Sequence, residues 1–342
     1  MRYAALCCYF GQWPSHFRFW LRSCSYNPQI RFILVSDIPV DGYDLPENVQ
    51  LVRQSFADVK KRIARTFPEI TVSVDRPYKL CDFKTAYGRI FNDLFEGCDY
   101  WGFYDIDTVW GDILKFVPAN EDCHLTKIFP CGHLCFVRNA EPWNNVFRLI
   151  NEVAGTPCRN NMSGRKVVTW QECFSSPESH YYDEEGGLEP LFESKEGTEG
   201  KEGGERKDSV EKIDGKERTG LVQIYADVTF DNILPPWRFD HFLSINFPEK
   251  SHNLVYSYDC GHLYRHYLRG LHPCREEISY LHASKRSFTV SATDTSRFII
   301  YPNKVAEYRD WTILGLLIHG RVRRLRNLVR RIGRRIRIIK DF

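Results

Sequence analysis

Apolar and polar positions fall in blocks that read as strand, helix, strand from the first residues of the chain onward. Tyr3 to Phe10 is an apolar run closed by the turn Gly11-Gln12-Trp13-Pro14-Ser15, and a helix-like stretch from His16 to Ser25 follows. Arg31 to Ser36 carries Phe-Ile-Leu-Val, a second buried strand with Asp37 at its end, so the chain opens as a β-α-β unit. Val49 to Val52 predicts a third strand, and Phe56 to Phe67 sets Val59, Ile63 and Phe67 at helical spacing with basic residues between them. A further helix is expected from Thr85 to Phe95, with Ala86, Ile90 and Leu94 on one side. It feeds Tyr100-Trp101-Gly102-Phe103-Tyr104, an aromatic run that reads as a buried strand. Leu134 to Arg138 predicts a later strand and Trp143 to Val153 a later helix, and aromatic segments around Trp237 and Tyr256 continue the fold. No internal repeat of fixed period interrupts this pattern.

Two stretches depart from it. Between Glu193 and Gly220 sixteen of twenty-eight residues are charged and six are glycine, too little apolar surface to offset the entropy of ordering, so a disordered charged insertion is expected over 193–220. Deleting Ser194 through Thr219 should therefore leave the thermal midpoint nearly unchanged, because loop-closure entropy varies slowly with length; a drop of many degrees would mark the segment as an ordered element. Near the C-terminus Ile318, Val322, Leu325, Val329, Ile332, Ile336 and Ile339 recur at steps of four and three. Arg321, Arg323, Arg324, Arg326, Arg330, Arg331, Arg334, Arg335, Arg337 and Lys340 surround that stripe, which predicts a basic amphipathic helix over 313–342 suited to an anionic membrane surface. Packing of this helix on the protein's own surface, or on a nucleic acid, are the readings it displaces.

Composition adds bounds. A chain of 342 residues with 43% hydrophobic content holds enough apolar surface for a large core, in one large domain or two small ones. Net charge is only +3, so the molecule as a whole is no polyanion binder and no nucleic-acid partner is expected. Met1-Arg2-Tyr3 runs straight into a strand without an apolar leader, so the twelve cysteines are expected as free thiols in a reducing cytoplasm. Cys131-Gly132-His133-Leu134-Cys135, with Cys123-His124 upstream, lacks the paired spacing of zinc sites, and Cys135-Phe136-Val137 reads as strand core. No apolar run approaches the roughly 18 residues of a membrane span.

Candidate chemistry begins where the aromatic strand ends, at Asp105 and Asp107. Two carboxylates at the mouth of a sheet repel one another, and a divalent cation cancels that repulsion; hard oxygen ligands suit Mn²⁺ or Mg²⁺, which complete their shells with substrate phosphate oxygens. The alternative is that Asp105 caps a helix starting near Asp107 while its neighbour is solvated. Asp37 is placed either to take a ribose hydroxyl or to cap the turn at Ile38-Pro39. The alternative functions are a metal-dependent phosphotransferase or pyrophosphatase using the same carboxylates, where the absence of a G-x-x-x-x-G-K-[ST] loop disfavours phosphotransfer, and a silent nucleotide-sugar binder, which the presence of both acids disfavours.

Taken together, Lys84-Thr85-Ala86-Tyr87-Gly88-Arg89, the D-x-D at Asp105 and Asp107, Gly132-His133-Leu134, and Leu281-His282-Ala283-Ser284-Lys285-Arg286 resemble the GT-A glycosyltransferases. The likeness runs from Tyr3 to Phe288 without the charged insertion and is similar to a group of bacterial proteins associated with surface-polysaccharide synthesis. It implies an α/β fold: a single GT-A, Rossmann-like nucleotide-sugar-binding domain over 1–312 with a mixed central sheet. It further implies a nucleotide-sugar donor and a glycan or lipid-linked acceptor; the basic C-terminal stripe sets the expected place of work at the inner face of the cytoplasmic membrane. Carried over, Asp105, Asp107 and His282 would hold the metal. Tyr9, Phe10, Asp37, Lys84, Asp105, Lys285 and Arg286 would hold the donor, with Arg89 near its phosphates or sugar. Asp183 and Glu184, in Asp183-Glu184-Glu185, are the candidate bases of an inverting reaction; a retaining one would need none.

Overall fold

Strand β1 (Tyr3–Cys8) divides its side chains by parity, as a strand buried on both faces must. Ala4 and Leu6 join one core with Ile33 and Val35, whereas Tyr3, Ala5 and Cys7 join another with Phe32 and Leu34. Helix α1 (Phe17–Ser25) covers the second face through Phe17, Trp20, Leu21 and Cys24. After β2 (Ile30–Ser36) and β3 (Val49–Arg53), helix α2 (Phe56–Thr66) covers the first face with Val59 and Ile63. A capping box starts α2: Ser55 Oγ accepts from the Asp58 N–H, and the Asp58 carboxylate accepts from the Ser55 N–H. This computed structural model describes residues 1–117, 127–129, 132–148, 169–178, 239–241, 255–269, 272–283, 287–301, 304–311 and 315.

The central sheet has six strands in the order β3-β2-β1-β4-β7-β6, adding β4 (Tyr100–Tyr104), β6 (Lys127–Ile128) and β7 (Leu134–Arg138). β3, β2, β1 and β4 run parallel, and β7 returns antiparallel to β4, so the fold is α/β with a mixed sheet. From β1 the chain winds outward through β2 and β3, then crosses back to place β4 on β1's other side. The strand order therefore reverses between β1 and β4, and a crevice at the carboxyl ends of those two strands is the ligand position of such sheets. Gly102 lets β7 pair this closely with β4, since a Cβ there would stand 2.2 Å from the Cys135 carbonyl oxygen.

The helix expected over Thr85–Phe95 is instead a 3₁₀ segment (Pro77–Ala86), one α turn, α3 (Tyr87–Ile90), and a second 3₁₀ turn (Asn92–Phe95). Seven consecutive residues, Asp82 to Gly88, are buried, and no single stripe of a regular α-helix accommodates such a run. The helix expected from Trp143 to Val153 opens with a 3₁₀ turn (Trp143–Asn145) and is α-helical over 146–148; its remainder lies outside the described residues. A helix α4 (Trp170–Ser175), capped by Thr169 and Glu172, completes the first core with Phe174, which stacks on Phe83 at 4.3 Å.

Past β4 the chain forms no helix at Asp107 but strand β5 (Thr108–Trp110), in a three-stranded sheet with β8 (Phe239–His241) and β12 (Tyr280–His282), ordered β5-β12-β8. A second six-stranded sheet, ordered β11-β10-β9-β14-β15-β13, consists of β9 (Val255–Asp259), β10 (His262–Arg269), β11 (His272–Ile278), β13 (Thr289–Val290), β14 (Arg297–Tyr301) and β15 (Lys304–Glu307). It packs on the outer side of α1, where Phe19 meets Phe298 at 4.7 Å. The insertion at 193–220, Trp237 and the stripe Ile318–Ile339 lie outside the described residues. Among the described residues no helix is long and apolar enough to cross a membrane, and every cysteine is a free thiol.

Candidate metal centre

Asp105 leaves β4 at the carboxyl end of the sheet with its backbone held on both sides. Its N–H donates to the His133 carbonyl at 3.2 Å, one pair past Tyr104↔Leu134, and its carbonyl accepts from Thr108 Oγ1 at 2.7 Å. Asp107 is fixed by the other sheet: β5 and β12 pair in the register Thr108↔His282, and the Ala283 N–H donates to the Asp107 carbonyl at 2.7 Å. That register delivers a histidine from far along the chain to the D-x-D. His282 Nε2 lies 3.2 Å from Asp107 Oδ1 and 3.7 Å from Asp105 Oδ2, and one ligand atom from each of the three residues falls within 4.8 Å of the others.

Two carboxylate oxygens and an imidazole nitrogen form half of an octahedral shell. Ligands cis to one another on bonds of about 2.1 Å stand about 3 Å apart, close to the separations here. The donor set therefore fits a divalent cation, with His282 buried and the two acids partly open to solvent. An imidazole in the set suits Mn²⁺ better than Mg²⁺, which prefers oxygen alone.

Lys84 braces this arrangement. Buried on the 3₁₀ segment, its ammonium donates to Asp105 Oδ1 at 2.8 Å and to the Gly132 carbonyl at 2.9 Å, which leaves Asp105 Oδ2 as the oxygen turned to His282. Two histidines absent from the expected site lie beside it. The His133 ring stacks on His282 at 4.4 Å and its Nδ1 shares a hydrogen with the Tyr280 hydroxyl at 2.8 Å. His16, fully buried at the start of α1, lies edge-on to Phe288 and within electrostatic reach of Asp107; burial drives its imidazole down to about 4, so it is neutral at pH 7. The sequence held one cue for His133, its place in the Gly132-His133-Leu134 motif, and none for His16.

The remaining candidates divide by location. Tyr9, at the end of β1, heads a ring stack through Trp13 (5.7 Å) to Phe17 (4.2 Å), and its hydroxyl donates to the Gln12 carbonyl. Phe10 turns to the other face, edge-on to Phe56 at 5.5 Å. Asp37 is exposed at the end of β2. Arg89 is not brought to the carboxylates: it is exposed on α3, directly after the run buried from Asp82 to Gly88. Lys285, Arg286, Asp183 and Glu184 lie outside the described residues. The flanks of the 284–286 segment are anchored, however, by Ala283 on Asp107 and by Phe288, whose N–H and carbonyl both bond Ser15 Oγ. Among the described residues Asp105, Asp107 and His282 form the one cluster able to hold a metal, and Cys135 sits in the core.

No curated protein and no solved structure matches the chain. The model of a family of unknown function, DUF6625, matches residues 5–309, and the chain belongs to that family.

Proposed function

We propose that this protein is a metal-dependent glycosyltransferase of GT-A type that moves a sugar from a nucleotide-sugar donor to a glycan or lipid-linked acceptor, in surface-polysaccharide synthesis. The observation that carries this reading is the convergence of Asp105, Asp107 and His282 within 4.8 Å at the carboxyl end of a sheet whose strand order reverses beside them. Asp105, Asp107 and His282 would hold Mn²⁺, which supplies Lewis-acid stabilisation of a departing nucleoside diphosphate. Lys84 lowers the cost of placing two acids together by pairing with one of them. Tyr9 offers a ring face to the base and Asp37 a carboxylate to the ribose. Lys285 and Arg286, which fall in the chain between Ala283 and Phe288, would meet the negative charge of the leaving diphosphate. Asp183 or Glu184 would take the acceptor proton if the reaction inverts. A panel of nucleotide sugars with Mn²⁺, scored for released nucleoside diphosphate, tests the proposal; turnover of one donor supports it, and no release from any donor, with or without acceptor glycans, removes it.

The basic stripe over 313–342 would hold this chemistry at the cytoplasmic face of a membrane, its apolar side in the acyl boundary and each arginine contributing about 1 kcal/mol against anionic headgroups. Truncation after Gly315 is expected to release the protein from anionic vesicles in co-sedimentation at low salt while sparing hydrolysis of a soluble donor, because the metal cluster lies upstream. If the intact chain binds no vesicles, or the truncated chain binds equally well, the segment serves an intramolecular contact instead.

A further inference from the structure

We infer that His133 is a positioning residue for the metal centre, holding the His282 ring with Nε2 toward the carboxylates and coupling that ring to the backbone of Asp105. The inference rests on the reading of Asp105, Asp107 and His282 as metal ligands. Side chains alternate along β12, so Tyr280 and His282 share a face, and His133 bridges both: it hydrogen-bonds the Tyr280 hydroxyl at 2.8 Å and stacks on the His282 ring at 4.4 Å with the planes 27° apart. All three rings are buried, so their geometry is set by packing and not by solvent. The same residue's carbonyl accepts the Asp105 N–H, and the preceding carbonyl, that of Gly132, accepts from Lys84, which also grips Asp105. One short segment before β7 thus touches an acid and the imidazole of the centre. Locking Tyr280 to His133 fixes the plane against which His282 lies, and an outer partner of this kind orients a ligand ring before the ion arrives.

The test uses the full-length chain, with Mn²⁺ alone titrated under electron paramagnetic resonance and Co²⁺ alone under visible absorption, and folding checked by thermal midpoint. His133→Ala should weaken Mn²⁺ binding about tenfold and alter the Co²⁺ bands. His133→Phe, which keeps a flat ring over His282, should restore most of the affinity, and Tyr280→Phe should lose part of it. Wild-type affinity in a folded His133→Ala overturns the inference, as does a His133→Phe that binds as weakly as the alanine variant. Should the alanine variant fail to fold, the phenylalanine variants decide: Tyr280→Phe at wild-type affinity with unchanged Co²⁺ bands overturns it. If the wild-type chain itself binds neither ion, the metal reading falls first and takes this inference with it.

Discussion

Asp107→Ala is expected to abolish Mn²⁺-dependent binding of a nucleotide sugar, read by calorimetry with donor and metal together. The reason is ligand count. With Asp105 Oδ1 already bonded to Lys84, the centre offers Asp105 Oδ2, Asp107 Oδ1 and His282 Nε2, and removing the middle of these leaves two ligands that face one another across 3.7 Å. Loss of even an outer-shell partner of a metal lowers affinity about 10- to 100-fold, and loss of a direct ligand should exceed that. Asp107→Asn keeps an oxygen at the same place without its charge and should fall between. The fold should survive both changes, because Asp107 is anchored through its carbonyl, which accepts from Ala283 whatever the side chain. Unchanged donor affinity in a folded Asp107→Ala would make Asp107 a surface acid that merely pairs with His282.

The largest expected effect on stability lies away from the metal. Lys79 and Asp82 form an ion pair that is sealed from solvent, at 0% and 1% side-chain exposure and 2.8 Å apart, and the ammonium also donates to the Cys173 carbonyl within α4. Asp82→Ala leaves a buried ammonium facing carbonyls alone, and breaking a buried pair from one side costs about 3–5 kcal/mol. Against a total stability of about 5–15 kcal/mol this is a large share, and chemical denaturation should read it as a lower midpoint at similar slope. Replacing both partners, as Lys79→Met with Asp82→Leu, should recover much of the loss, since a well-packed apolar pair removes the uncompensated charge. A single variant as stable as the parent would show that water reaches the ammonium.

The β-α-β opening, the strands at Tyr3–Cys8, Ile30–Ser36, Val49–Arg53, Tyr100–Tyr104 and Leu134–Arg138, and the position of Asp105 and Asp107 at a strand end were legible in the sequence. Each is a local matter: a strand with both faces in the core is apolar along most of its length, as Tyr100–Tyr104 is throughout, and the residue where apolarity stops is where that strand leaves the core. The helix over Thr85–Phe95 was misread because periodicity counts apolar residues, while the buried 3₁₀ segment that runs into it is held by contacts remote in sequence, Lys79 on the Cys173 carbonyl and Lys84 on Asp105. The metal centre divides the same way. Two of its candidate ligands stand one residue apart and announce themselves, and resemblance pointed to His282; its presence at the carboxylates depends on the Thr108↔His282 register. Lys84 on Asp105, His133 on His282 and the outward turn of Arg89 followed from no spacing. What the sequence determined by itself was therefore which segments are strands and where two acids emerge from one of them. The tertiary structure alone decided which distant side chains meet those acids, because pairing between strands remote in sequence is selected by the packing of the whole core and leaves no periodic trace in either strand.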